Sequence, residues 1–282
     1  MKNTRHLREW QLVLPLSIFF VSFVFGPLAL LAFIGSYNDA EFSSHGFAQY
    51  ERFFGDSYNL SILFGTLWLA LRTTLVALLI GYPFAYVYTR SSRRVQRILI
   101  LIIMMPLLTS AVVRTFAWIV ILGRQGILNQ ALLGLGLTER PLTLLYTPTA
   151  VVVALAQIEL PLMVLPIITA LTKIDANLPE ASEVLGARKW QTFWWVIVPL
   201  SMPGLVAGCM LVFAAAASSF VVQTLVGGGQ NIFMPLYIYQ QGIQVGNYPF
   251  AAAIAIILLM SVLIVVMALN IVSRRSRGFT HA

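Results

Sequence analysis

The sequence predicts an all-α integral membrane protein with six transmembrane helices, and three observations lead there. Of 282 residues, 59% are hydrophobic and only 10% are charged. The mean hydropathy is +0.85, far outside the balance of a water-soluble domain. The apolar residues gather into six runs, near 12–34, 61–88, 98–122, 147–171, 199–223 and 249–272. Each is long enough for the roughly 20 helical residues that cross about 30 Å of hydrocarbon. The Lys and Arg residues collect between these runs, mostly on one side.

The first run follows the basic stretch MKNTRHLREW. It is longer than a secretory h-region and has no small-residue cleavage site after it, so an uncleaved first span is expected. Residues 35–60 are acidic and aromatic, SYNDAEFSSHGFAQYERFFGDSYN, which suits a short interfacial helix on the outer surface. The second to fourth runs are read as single spans. The fifth begins with Pro199 and Pro203, which restrict the chain where it enters the bilayer. Cys209 stands alone within it and is expected to be buried as a small apolar residue. The outer stretch 224–248 has no charged residue but carries VGGGQN and MPLYIYQQ. Two readings are open for it, a loop dipping back under cover of protein and an ordinary surface loop.

Basic loops stay cytoplasmic, and one side collects thirteen of the eighteen Lys and Arg: Lys2, Arg5, Arg8; Arg90, Arg93, Arg94, Arg97; Lys173, Arg188, Lys189; and Arg274, Arg275, Arg277. The other side holds Arg52, Arg124 and Arg140, while Arg72 and Arg114 fall within spans. Both termini are therefore expected in the cytoplasm. This asymmetry accounts for the net charge of +8. The basic groups are scattered among membrane flanks and form no single face, so nucleic acid is not the expected partner.

The cytoplasmic loop 172–195 breaks the apolar pattern. Asp175 or Asn177 can cap a helix there, Pro179 suits its first turn, and Glu180 and Glu183 complement its positive N-terminal end. Ile174, Leu178, Ala181 and Leu185 recur at helical spacing, and Gly186 is where a left-handed C-terminal turn would stop the helix. A second short helix, RKWQTFWW, is expected to follow. The loop then reads as two short helices with an apolar stripe. They serve either as a knob for a socket on another chain or as an interfacial pair resting on lipid through Trp190, Trp194 and Trp195.

Residues 170–208, ALTKIDANLPEASEVLGARKWQTFWWVIVPLSMPGLVAG, resemble the EAA loop of permease subunits of binding-protein-dependent ABC importers. That pattern is E-A-A, three residues, G, nine residues, then I-x-L-P. Glu180, Ala181, Ser182, Gly186 and then Val196, Ile197, Val198 and Pro199 keep every spacing, with Ser182 for the second Ala and valines at 196 and 198. GYPFAYVYTR (81–90), SAVVRTFAWIVILGRQGILN (110–129), YTPTAVVVALAQIELPLMVLPI (146–167) and MPGLVAGCMLVF (202–213) resemble the spermidine/putrescine branch.

The resemblance implies a type I importer fold with a MetI-like core. It divides the chain into 1–59 (N-terminus, first span, outer loop), a permease core 60–272 with its coupling loop at 172–199, and a basic tail 273–282. It also implies that Glu180, Ala181, Ser182, Gly186, Ala187 and Pro199 couple to a separate ATPase. The expected partners are two ATPase subunits that bind ATP and Mg, a second permease subunit of different sequence, and an external solute-binding protein. The setting is the bacterial inner membrane. This chain has no G-x-x-x-x-G-K-[ST] loop, so it needs no cofactor of its own and is not expected to be an enzyme. The implied solute is a polyamine or similar small cation; branches for iron(III), opines and phosphonates share much of the pattern.

Three ionisable residues fall within spans, each costing about 2.5–3.5 kcal/mol near the centre unless compensated. By rise per residue, Arg72 and Glu159 lie roughly 17 Å deep and Arg114 roughly 12 Å. Either Glu159 pairs with Arg72 or Arg114, or it faces the translocation path and meets a cationic solute. In the fifth span, Gly204 and Gly208 form a G-x-x-x-G beside AAAASS (214–219), which permits close helix approach; Pro199 and Pro203 would give that span a hinge. An ion-coupled transporter with Glu159 as its proton site is the rival reading, but it has no use for the EAA spacing. A membrane enzyme is disfavoured, because His6, His45 and His281 all lie outside the spans.

Overall fold

The computed structural model describes the backbone of residues 4–175 and 177–277 and the side chains of 14–175 and 177–271. Lys2, Arg5, Arg8, Arg274, Arg275, Arg277, His6 and His281 lie outside the described side chains. Helices long and apolar enough to cross a membrane form at six places: Leu14–Gly35, Ser57–Arg90, Ala111–Gly134, Pro148–Leu171, Lys189–Ser218 and Tyr248–Ile271. Four belong to single helices, α1 (Thr4–Gly35), α3 (Ser57–Arg90), α7 (Pro148–Leu171) and α13 (Tyr248–Arg277).

The third differs from expectation. Residues 98–122 do not form one span: α4 (Arg93–Met104) gives way to a 3-10 turn (Met105–Leu108) and extended Thr109 before α5 (Ala111–Leu122) begins. Pro106 has no N–H to continue the ladder, and the Thr109 hydroxyl donates to the Pro106 carbonyl at 2.8 Å to close the turn. The crossing stretch is shifted to 111–134, where α5 is followed by α6 (Ile127–Gly134), and Arg124 sits in the turn between them.

One compact unit comprises residues 1–60 and 237–259. The short helix expected in the outer loop forms as α2 (Ala48–Gly55). It is fixed by Gln49 Nε2 donating to the Asn38 carbonyl at 2.7 Å and by the Arg52 guanidinium 4.4 Å above the Phe250 ring. The Tyr237 hydroxyl donates to Asn59 Oδ1 at 2.7 Å. In the preceding loop, hydrogen bonds from the Ser43 hydroxyl and backbone N–H hold the Asp39 carboxyl below the usual carboxylate range.

The second unit comprises residues 61–236 and 260–282. At its centre α7 packs along α10 (Val198–Ser218), with Leu155, Met163, Val164 and Ile167 fully buried. Lipid is as apolar as these side chains, so the hydrophobic effect does not press such helices together and close van der Waals fit must. A glycine provides such a fit where α3 meets α7: a Cβ at Gly81 would lie 2.9 Å from Met163 Cγ.

The stretch beginning at 224 is buried over its first part. After α11 (Phe220–Gly227), Asn231 Nδ2 donates to the Tyr146 and Gly227 carbonyls, each at 2.9 Å, and the Met234 N–H donates to Thr66 Oγ1 at 2.9 Å. Phe233, Met234 and Leu236 are buried. The first part of the stretch is thus covered by protein, while Ile243 and Val245 near its end are exposed. Helix α12 (Met234–Tyr239) and a π turn (Gln240–Gln244) complete it.

Asn129 is the chief polar clamp near α6. It is fully buried, its Nδ2 donates to the Gly123 and Leu142 carbonyls at 3.0 Å, and its Oδ1 accepts from the Leu142 N–H at 2.9 Å. Asn129→Leu removes all three bonds and leaves the Leu142 N–H and carbonyl without their partner, while the Gly123 carbonyl keeps the Gly126 N–H. It is expected to lower stability by about 2–3 kcal/mol, read as an earlier thermal unfolding midpoint in detergent.

Candidate functional site

Glu180 and its neighbours lie on α8 (Asn177–Val184). Asp175 starts this helix by accepting the Asn177 N–H on Oδ1 at 3.0 Å. Gly186 ends it with φ +90°. The Ala187 N–H bonds the Ser182 carbonyl and the Gly186 N–H bonds the Glu183 carbonyl, both at 3.0 Å. These are the two crossed bonds of a Schellman turn.

The second short helix is not a separate element. Helix α9 (Lys189–Thr192) runs through a π turn (Phe193–Ile197) straight into α10. Pro199 cannot donate back to Trp195, and the Val198 N–H reaches five residues back to the Phe193 carbonyl. The second half of the loop and the fifth span are thus one helical stretch, 189–218. Pro199 lies in its first α-helical turn beyond the π turn, and Pro203 lies inside α10.

The spacing of the loop marks Ser182 only as a conservative departure and gives no sign of its contact. Its hydroxyl donates to the Pro179 carbonyl at 2.7 Å, which leaves its lone pairs to accept from Thr192 Oγ1 at 2.8 Å. Thr192 is only 3% exposed. Next to it, Phe193 packs edge-on against Tyr82 (5.8 Å) and Tyr86 (5.1 Å) of α3, and the Tyr82 hydroxyl shares a 2.9 Å hydrogen bond with Ser201. No periodicity signals these contacts.

The other face of the loop is uncovered. Val184 and Leu185 are each 87% exposed and Trp195 is 81% exposed, while Ile174 packs into the core. Ala181, Glu180 and Gly186 are also exposed. Glu180 and Glu183 border a cavity of about 320 Å³ with Asp175, Ile174, Arg90 and Tyr86.

In α10, Gly204 and Gly208 face α7. A Cβ at Gly204 would lie 2.4 Å from the Pro166 carbonyl oxygen and 2.5 Å from Ala170 Cβ; at Gly208 it would lie 2.9 Å from the Met163 oxygen.

The three intramembrane charges meet only in part. Arg114 donates to the Ile158 carbonyl at 3.4 Å, next to Glu159, and Glu159 lies within electrostatic reach of it. The Arg72 guanidinium instead lies 5.8 Å from the centre of the Trp68 ring. No direct ion pair among the described residues joins Glu159 to either arginine, and both Nε atoms are buried without a hydrogen-bond partner. Arg114 also lines a cavity of about 530 Å³ with Trp118 and Gln157, where the Trp118 indole N–H donates to Gln157 Oε1 at 3.2 Å.

Comparison with known proteins fits this arrangement. The sequence profile of the binding-protein-dependent transport system inner membrane component matches residues 74–277. The spermidine/putrescine transport system permease protein PotB of Salmonella typhimurium is 36% identical over 264 residues, 92% of this chain and 91% of the relative. PotB of Escherichia coli K12 is 37% identical over 203 residues, 72% of this chain and 74% of the relative. The fold is also that of a chain from a bacterial ABC transporter involved in import of the acidic polysaccharide alginate. The TM-score is 0.78 at 20% identity, over 96% of both chains. The chain is a multi-pass inner-membrane protein and belongs to the family of binding-protein-dependent transport system inner membrane components, the permease subunits of ABC importers.

Proposed function

We propose that this permease carries a polyamine of the spermidine or putrescine type. It would pair with a second, different permease subunit and two ATPase subunits, and receive its solute from an external binding protein. The observation that carries the solute is the likeness to permeases named for spermidine and putrescine across nine-tenths of the chain. The uncovered apolar face of α8, bounded by Glu180 and Gly186, supports docking on an ATPase. The basic cytoplasmic loops support cytoplasmic termini. Closure of the ATPases on ATP displaces α8 and rocks the core between inward- and outward-facing states.

The test is reconstitution of the full complex with its binding protein and labelled spermidine. Saturable uptake that requires ATP is expected. Uptake of another solute but not of spermidine or putrescine refutes the solute, and uptake driven by an ion gradient without ATP refutes the machinery.

Glu159 supplies the carboxylate that would meet a cation in the path. Glu159→Gln is expected to slow spermidine uptake about tenfold, the factor of one charge-assisted contact, with assembly unchanged. Normal uptake by a normally assembled variant removes Glu159 from the path.

A further inference from the structure

We propose that the Ser182–Thr192 hydroxyl pair is the tie through which movement of α8 reaches the fifth span. This rests on the reading of α8 as the part that docks on an ATPase. The exposed apolar residues Leu178, Val184 and Leu185 face away from this chain, so a load arrives on the far side of α8. Behind it the chain turns through exposed Leu185, Gly186 and Arg188, with Gly186 at φ +90°. Its two crossed bonds run from Gly186 and Ala187 back into α8, and neither reaches α9.

The hydrogen bond that does cross from α8 to α9 is made by Ser182. Its single proton is spent on the Pro179 carbonyl of its own helix, and it accepts the Thr192 proton across the turn. Thr192 is buried, and its hydroxyl bridges to α8 across ten positions of sequence. The next residue, Phe193, opens the π turn and is wedged between Tyr82 and Tyr86, while Ser201 one helical turn beyond the π segment is bonded to Tyr82. The tie therefore delivers displacement to the base of α10 and to the side of α3 at once. Thr192 and Ser182 are positioning residues: neither need touch the solute.

The experiment uses the complete complex in nanodiscs, with Leu211→Cys as the single reporter in a Cys209→Ser background. Leu211 lies in α10 and is exposed. Its maleimide reactivity is measured with and without ATP, which requires no solute, and spermidine uptake per ATP hydrolysed is measured alongside in proteoliposomes.

Ser182→Ala, Thr192→Val and the double variant are each expected to shrink the ATP-driven change at position 211 and the uptake ratio by about fivefold, the lower end of a site-to-site coupling. Thr192→Ser keeps the hydroxyl and is expected to match the parent. Ser182→Ala alone strands a buried hydroxyl and can fail to assemble, so the double variant is the decisive one. A purely structural pair predicts recovery there, because no polar group is left unpaired.

Recovery in the double variant, a full response in Thr192→Val, or no ATP-driven change at 211 in the parent each overturns the tie. A parent that responds at 211 but takes up no spermidine refutes the solute assignment and leaves the tie to be judged on the reporter.

Discussion

Gly204→Leu is expected to abolish the closed packing of α7 on α10. A Cβ at this position would stand 2.4 Å from the Pro166 carbonyl oxygen and 2.5 Å from Ala170 Cβ. The first of these is backbone, so no rotamer change relieves it. The helices must separate, and every contact down the seam from Met163 to Ala170 weakens with them. Destabilisation of about 3 kcal/mol is expected, seen as loss of a monodisperse peak in detergent. Gly65→Ala is the control: nothing lies within 4 Å of its added Cβ, and it is expected to leave the protein unchanged or slightly stabilised. Equal behaviour of the two variants would show that the seam tolerates separation.

Gly186→Val is expected to uncouple the importer by a different route. A Cβ here meets open space, so no clash arises. The strain is in the backbone: φ is +90°, where a β-branched residue costs about 1–2 kcal/mol. Relief comes by unwinding the two crossed hydrogen bonds from Gly186 and Ala187, which changes the angle between α8 and α9. Both co-purification with the ATPase and substrate-stimulated hydrolysis are expected to fall. Gly186→Asn, a residue that tolerates the left-handed region, is expected to retain most of both. Unchanged values in the valine variant would rule out a role for this turn in coupling.

The helix count and α8 were legible because hydropathy and capping are local properties. A run of twenty apolar residues, or Asp175 two residues before Asn177, reports its structure without reference to the rest of the chain. The break at Pro106 was not legible, since composition stays apolar straight through it and only the missing N–H marks the kink. Depth alone put Arg72, Arg114 and Glu159 near one another. Depth says nothing of rotation about the helix axis, and Arg114 turns to the Ile158 carbonyl while Arg72 turns to Trp68. The Ser182–Thr192 contact was hidden for a related reason: it joins two helices across a turn, where neither the 3.6 period nor a motif applies.

The uninterrupted helical stretch from Lys189 to Ser218 also has a length, and length in a bilayer is a vertical coordinate. At 1.5 Å per residue it measures about 45 Å, against a hydrocarbon thickness of about 30 Å. An upright helix of that length would project roughly ten residues beyond the acyl chains, and the ten at its Lys189 end include Trp190, Trp194 and Trp195, whose rings favour the headgroup boundary. At that boundary the three tryptophans would act as a depth gauge. Because Thr192 lies among them and is bonded to Ser182, the height of α8 above the membrane would then follow both the protein and the thickness of its lipid.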